Sequence, residues 1–287
     1  MPEGHTIHRL AREHTQALAG HVLHVWSPQG RHAALAAALD QHLLEHVDAY
    51  GKHLFYRWRA APILHIHLGL FGSFRESASG ASPPRPSAQL RLEGPRTTLD
   101  LVGATTCELV DSARRDQILA RLGPDLLASD ADAERAWERL RRRSIPIGAA
   151  LLDQQLLSGV GNVYRLEALF VNGIHPERLA TTLSRAEFDG LWDTLRTMLR
   201  QGVEERRIVT VHPSERAAAA DANGLESVAP EDAFYVYHQQ RCRRCGGPIR
   251  AWRLGARRAF ACERCQPPPD RLEADHANLA VCQPPRS

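Results

Sequence analysis

The sequence predicts an α+β protein of several domains: a leading helix, a β-sandwich or barrel, a compact helical domain and a short cysteine-bearing hairpin. Three observations carry this reading. Apolar residues recur at helical spacing from Ile7 to Leu18, short β-rich runs punctuated by Gly and Pro fill about residues 21 to 112, and four cysteines gather between positions 242 and 265. A chain of 287 residues exceeds what one core usually needs, and 43% hydrophobic with 24% charged residues is the balance of a soluble globular protein. No apolar run approaches the roughly 18 residues of a membrane helix. No positive segment followed by an apolar stretch opens the chain, so a cytoplasmic protein is expected. The net charge of +3 permits a polyanionic partner without demanding one.

In the first helix Ile7, Leu10, Ala11, Ala17 and Leu18 form the apolar stripe, and Gly20 follows as the C-terminal cap. The β region includes Leu54 to Trp58, Ile63 to Leu68 and Thr97 to Val102, with Ser77 to Ser87 as a mobile loop. From about Asp130 to Val203 the spacing turns helical, with candidates at Ala133–Arg142, Ile147–Leu157, Val163–Val171 and Arg185–Leu199. Val211 to Asp232 is polar, rich in Ala and lacks periodicity, which predicts a long flexible loop. The tail from about Gln266 carries repeated prolines and few apolar anchors, so disorder is expected there. No internal repeat is present.

The strongest local signal is Cys242-x2-Cys245 followed, after sixteen residues, by Cys262-x2-Cys265. Two tight knuckles that each supply two thiolates suit a tetrahedral zinc with no open position, a metal that folds a hairpin rather than performing catalysis. Cys107 and Cys282 stand apart. Arg241, Arg243, Arg244, Arg250, Arg253, Arg257 and Arg258 crowd the same segment, as a phosphate-facing surface or a generic solvated face. A second signal is Ser158-Gly159-Val160-Gly161-Asn162-Val163-Tyr164, a turn that sets Asn162 at the start of a helix. Exposed N–H groups there can hold a phosphate, although Asn is also a common structural cap. The third is Met1-Pro2-Glu3-Gly4. Loss of the initiator methionine leaves a secondary amine at Pro2, nucleophilic near neutral pH, with Glu3 beside it to move protons.

In order along the chain these pieces resemble the formamidopyrimidine-DNA glycosylase and endonuclease VIII family. Met1-Pro2-Glu3-Gly4 is similar to its endonuclease VIII start, Gly51-Lys52-His53-Leu54 to its lysine turn, and Leu152-Asp153-Gln154 through Tyr164 to its helix-two-turn-helix; the cysteines resemble its zinc finger. Gly4-His5-Thr6 and His67-Leu68-Gly69-Leu70-Phe71-Gly72 bring the pattern nearest the actinobacterial endonuclease VIII branch. The resemblance implies a catalytic β-sandwich domain over 1–118, a helix-two-turn-helix domain with its loop over 119–234, a zinc finger over 235–267 and a disordered tail over 268–287.

The resemblance also implies roles. Pro2 is the Schiff-base nucleophile, Glu3 the proton-transferring acid, and Lys52 a phosphate-contacting residue that assists elimination. Arg257, five residues before Cys262, clamps phosphates at the lesion, with Arg258 its nearest rival. Asn162 and Arg121 bind the DNA backbone, while Leu70 and Phe71 fill the hole left by an extruded nucleotide, unless they are ordinary core residues. The implied protein is a monomeric, nucleoid-associated repair glycosylase with lyase activity on double-stranded damaged DNA, holding one structural zinc. Its expected substrates are oxidised pyrimidines rather than 8-oxoguanine. A non-catalytic damage-binding protein is the alternative, and a zinc-ribbon transcription regulator a third that leaves the N-terminal set unexplained. One departure stands out: Thr6 occupies the place of a second glutamate three residues after Glu3, and a hydroxyl cannot replace a carboxylate in proton transfer.

Overall fold

The structure, a computed structural model, describes residues 2–216 and 232–269. Most of the loop expected between Val211 and Asp232, and the tail beyond 269, lie outside the described residues. Two compact units are present, one ending at Leu122 and the second beginning at Gly123.

In the first unit α1 (Gly4–Leu18) buries Ile7, Leu10, Ala11 and Leu18, the stripe read from the sequence, although the helix starts three residues earlier. Eight antiparallel strands follow: β1 (Val22–Trp26), β2 (His42–Tyr50), β3 (His53–Trp58), β4 (Ile63–His67), β5 (Ser73–Ala78), β6 (Leu90–Glu93), β7 (Thr97–Val102) and β8 (Thr106–Val110). Their spatial order is β5-β7-β6-β1-β2-β3-β4-β8. Only Val22↔Leu43 and Leu23↔His42 join β1 to β2, so the order divides there into two leaves of four strands. Val25, Leu90, Leu92, Leu99 and Leu101 from one leaf meet Leu44, Leu54, Tyr56, Leu64 and Ile66 from the other in one buried cluster. That shared core decides between the sandwich and the barrel in favour of a sandwich.

Two helices of this unit do not show in the apolar spacing. The seven-residue α2 (Ala33–Leu39) is too short for a period to emerge, and α3 (Ser112–Ala120) has no buried residue at all. Instead α3 is set by its cap, where the Asp111 carboxylate accepts the Arg114 N–H at 2.7 Å.

The second unit holds α4 (Ala133–Leu140), α5 (Ile147–Ala150), α6 (Asn162–Val171) and α7 (Arg185–Glu204). The sequence suggested one helix over Ile147–Leu157, but α5 stops after four residues. Asp153 ends it: its side chain accepts the Gln155 N–H at 2.9 Å and its carbonyl accepts from Leu156 and Leu157, which starts a second turn. By contrast α7 runs five residues beyond its expected end, opened by a reciprocal Ser184/Glu187 capping box. The unit closes with a hairpin of β9 (Arg250–Leu254) and β10 (Arg257–Ala261). Leu166 and Phe170 of α6 share a buried cluster with Val236, Ala259, Phe260, Cys242 and Cys262, so the cysteine hairpin is seated on the helical core. Gln266 adds a tie, donating to the Ile174 carbonyl at 2.7 Å while accepting the Cys262 N–H. Among the described residues no helix is long and apolar enough to cross a membrane.

Candidate functional site

In the first unit Pro2 lines a cleft of about 320 Å³ with Thr6, Arg9, Leu10, Leu68, Leu70, Phe71 and Phe74. Glu3 is fully buried and is the residue that opens α1. It therefore sits where a helix presents its unpaired N–H groups, the end that favours negative charge. Thr6, one turn into the helix, bonds His5 Nε2 through its hydroxyl at 3.0 Å. Burial, with the Arg9 charge adding to it, pushes His5 down to about 3, so this ring is a neutral neighbour of Glu3 and not a second acid.

Leu70 and Phe71 are presented to solvent in the segment after β4; Phe71 is 89% exposed and Leu70 39%. These figures remove the core reading for Phe71. Gly69 holds the bend at φ +68, and a Cβ there would lie 2.3 Å from the Thr105 methyl, so only glycine fits. Lys52 lies in the turn between β2 and β3, whose left-handed position is taken by Gly51 at φ +57. Arg121 caps the C-terminus of α3, exposed, with no side-chain partner among the described residues.

In the second unit Asn162 is the first residue of α6 and is 6% exposed. Its Nδ2 donates to the Arg258 carbonyl at 3.2 Å. Arg165, one turn on and fully buried, donates to Asn162 Oδ1 through Nε at 3.0 Å and Nη2 at 2.7 Å, to the Gly148 carbonyl through Nη1, and to the Arg258 carbonyl at 3.4 Å. One guanidinium thus fixes α5, the start of α6 and the middle of the hairpin, a role that sequence reasoning missed because its acceptors lie 17 and 93 residues away. We expect Arg165→Met to strand those buried acceptors and cost about 3 kcal/mol of stability in denaturant unfolding. Arg165→Lys should recover only part, since an ammonium lacks the planar fork that reaches three groups together. An unchanged midpoint in the methionine variant would refute the bracket.

The hairpin pairs Arg257 with Leu254 and Arg258 with Arg253, so Arg257 and Arg258 point to opposite faces. The side chains of Arg257 and Arg253 carry no hydrogen bond, ion pair or ring contact among the described residues. The other arginines are engaged: Arg250 with Glu263 at 2.6 Å, Arg243 with Asp232, and Arg244 and Arg258 over the rings of Phe170 and Phe260. The four cysteine sulfurs lie within 4.8 Å of one another, with Cys242–Cys265 at 3.8 Å and Cys245–Cys262 at 3.4 Å. A tetrahedron with metal–sulfur bonds of about 2.3 Å has edges of about 3.8 Å, so this donor set fits one tetrahedral metal ion.

A two-leaved sandwich followed by a helix-two-turn-helix and a four-cysteine hairpin is the architecture of a base-excision DNA glycosylase. Residues 1–112 match the formamidopyrimidine-DNA glycosylase N-terminal domain and residues 122–213 its H2TH domain. The chain is 42% identical to Endonuclease 8 1 of Mycobacterium tuberculosis over 273 residues, which span 93% of this chain and all of the relative. It is 33% identical to the formamidopyrimidine-DNA glycosylase of Thermomicrobium roseum, covering 81% of this chain and 84% of the relative. In structure it is similar to Lactococcus lactis Fpg in complex with abasic-site DNA, at a TM-score of 0.77, 21% identity and coverage of 93% and 100% of the two chains. The chain belongs to the formamidopyrimidine-DNA glycosylase and endonuclease VIII family, whose members are DNA glycosylases.

Proposed function

We propose that this glycosylase excises oxidised pyrimidines from double-stranded DNA and then cleaves the strand by β,δ-elimination, through a Schiff base at Pro2. The observation that carries the reading is the cleft in which Pro2 and the exposed Leu70–Phe71 tip meet. A nucleophile and an apolar wedge on one wall suit an extruded nucleotide, with the wedge taking its place in the stack. Once Met1 is removed, the Pro2 secondary amine attacks the sugar C1′ while a proton supplied by Glu3 lets the base leave. The C1′–O4′ bond then breaks, with O4′ taking the proton given up by the Pro2 nitrogen, and the opened sugar is left as an iminium; this draws electrons from C2′, so a base that removes a C2′ proton expels the 3′ phosphate, and a second elimination expels the 5′ phosphate. Lys52 serves those eliminations.

In the second unit the guanidinium of Arg257, without a side-chain partner among the described residues, would contact phosphates with Asn162 and the α6 N-terminus, and Arg121 would add a contact from the first unit. The Lactococcus neighbour is described in complex with abasic-site DNA, which supports the same partner for this chain. One zinc held by Cys242, Cys245, Cys262 and Cys265 would support the hairpin without entering the reaction. A monomer working at the nucleoid suits a site whose parts all come from one chain.

The pyrimidine preference rests on the greater likeness to a relative named Endonuclease 8 1 than to one named formamidopyrimidine-DNA glycosylase. Saturated pyrimidines also stack poorly and cost less to extrude. The test is excision measured side by side from duplexes carrying thymine glycol or 8-oxoguanine opposite their normal partners. Thymine glycol is expected to be released faster; faster release of 8-oxoguanine would overturn the substrate and leave the family untouched.

A further inference from the structure

The turn that joins β4 to β5 carries the exposed Leu70–Phe71 tip and also builds a wall of the Pro2 cleft, through Leu68, Leu70, Phe71 and Gly72. Side-chain packing holds only its start, where Leu68 enters the core, because the Phe71 ring stands in solvent. Backbone hydrogen bonds hold the rest. The Gly72 N–H closes the turn on the Leu68 carbonyl at 3.0 Å. At its entrance the Gly69 N–H donates to a side chain, His67 Nδ1, at 3.1 Å.

His67 is the last residue of β4 and stands on the outer face of its leaf, since Leu64 and Ile66 enter the core. Its neighbours on that face are His53, directly opposite on β3 with ring centroids 4.9 Å apart, and His65 two residues back. The His65 ring is taken up elsewhere, by His53 at 2.9 Å and by Glu108 of β8 at 2.8 Å. His67 instead joins two turns. Thr105, in the turn between β7 and β8, donates its N–H to the His67 carbonyl at 3.0 Å, and its hydroxyl lies 3.0 Å from that carbonyl and 3.2 Å from Nδ1. The Thr105 methyl fills the space that a Cβ on Gly69 would need. A backbone N–H only donates, so His67 Nδ1 is bare and the ring carries its proton on Nε2. Burial first, with Lys52 and His65 adding to it, lowers the His67 pKa and so favours this neutral form. The hydroxyl proton of Thr105 can serve either the carbonyl or Nδ1, and in both cases Nδ1 still accepts from Gly69.

We propose that His67 is a positioning residue that latches the wedge: its bare Nδ1, backed by Thr105, holds the Gly69 N–H so that Leu70 and Phe71 stand preset for the hole an extruded nucleotide leaves. This rests on the proposed role of Leu70 and Phe71 as that wedge. An apolar tip in water gains nothing from its own packing, so a turn without the latch would sample many conformations. It would then have to be ordered at the moment it enters the stack, and that cost would fall on the insertion step. The latch removes the cost beforehand, and through the shared cleft wall it also fixes the space in front of Pro2. In this role His67 acts through the turn, not on the reacting atoms.

The test exploits the two nitrogens of the ring. An asparagine amide can set its oxygen where Nδ1 stands, whereas the longer glutamine amide reaches the place of Nε2, so His67→Asn keeps the acceptor for Gly69 and His67→Gln removes it. The full-length variants are compared with the wild type and with a Leu70→Ala/Phe71→Ala double variant. Stopped-flow fluorescence of 2-aminopurine beside a tetrahydrofuran abasic analogue follows the opening of the stack in duplex DNA, and the rate of borohydride trapping is measured at natural abasic sites in duplex and in single strands. His67→Gln and the double variant are expected to slow the fluorescence step and duplex trapping on the order of fivefold. Trapping on single strands, which have no stack to enter, should keep the wild-type rate, and His67→Asn should recover most of the duplex rate. A wild-type fluorescence rate in His67→Gln beside a slowed double variant overturns the latch alone. Equal losses in the asparagine and glutamine variants, or equal losses on duplex and single strands, overturn it too, because they assign His67 to Nε2, to the chemistry or to folding. Wild-type rates in the double variant defeat the wedge reading itself, and the latch falls with it.

Discussion

Pro2→Gly is expected to reduce strand cleavage and borohydride trapping on abasic DNA on the order of a hundredfold, about 2.7 kcal/mol of transition-state stabilisation. The argument starts from the amine. A secondary amine condenses with the opened sugar to an iminium that has no N–H proton to lose, so its positive charge is permanent and always available as an electron sink. A glycine amine gives an imine that must first be protonated. The pyrrolidine ring also restricts the direction of the nitrogen lone pair, and Pro2 stands just ahead of the buried Glu3 and α1 and lines the cleft with Phe71. Glycine loses that aim, a loss effective-molarity arguments rate highly. Undiminished trapping by the variant would remove Pro2 from the reaction. Glu3→Gln separates the steps: excision of an intact damaged base should stop, while cleavage at a preformed abasic site, which has no base to expel, should largely survive.

What the sequence disclosed and what it concealed divide by range. The cysteine pairs were legible because a knuckle needs only neighbours three residues apart, and β7 was legible because Thr97 to Val102 carries its β-branched and apolar residues in one short run. The N-terminal set and the two-glycine turn before Asn162 were legible as motifs, though not their surroundings. The concealed parts depend on partners far along the chain. Arg165 and Glu167 look like ordinary polar residues of an amphipathic helix, yet both are fully buried. Glu167 accepts the N–H groups of Tyr235, Val236 and Tyr237 and the Thr210 hydroxyl, which anchors the chain where it returns toward the hairpin. No periodicity announces such a clamp. His65 and Glu108 are equally remote in sequence and meet only because β4 pairs with β8. Leu70 and Phe71 read as a wedge with ordinary core residues as the alternative, and exposure removes that alternative for Phe71.

Cys262→Ser is expected to have the second large effect, on the hairpin and through it on DNA binding. Cys262 is 1% exposed and lies at the end of β10, bonded through its N–H to Gln266 and packed in the cluster that joins the hairpin to α6. The hairpin itself is a single antiparallel pair of five residues per strand, which is marginal in water without further support. A structural zinc site in a small finger contributes about 10 to 16 kcal/mol, well beyond what such a pair supplies alone. Serine is a poor substitute for a thiolate ligand, so the metal should be lost and β9–β10 should loosen. Leu166 and Phe170 stay fixed by α6, whose other neighbours are untouched, so the defect should be local. Among the described residues Arg257 has no side-chain partner and is placed by the hairpin ladder, so it is the group whose position should degrade most. The expected results are a fall in zinc content from about one ion per chain to near zero, and weaker binding to all DNA sequences alike. The salt dependence should flatten by about 0.9 in log–log slope for each phosphate that is no longer neutralised. Arg257→Ala should reproduce the flattening with zinc retained. If the purified wild-type protein carries no stoichiometric zinc, the cysteine site has been misread. If Cys262→Ser loses zinc but keeps the wild-type salt slope, the hairpin does not bind phosphates.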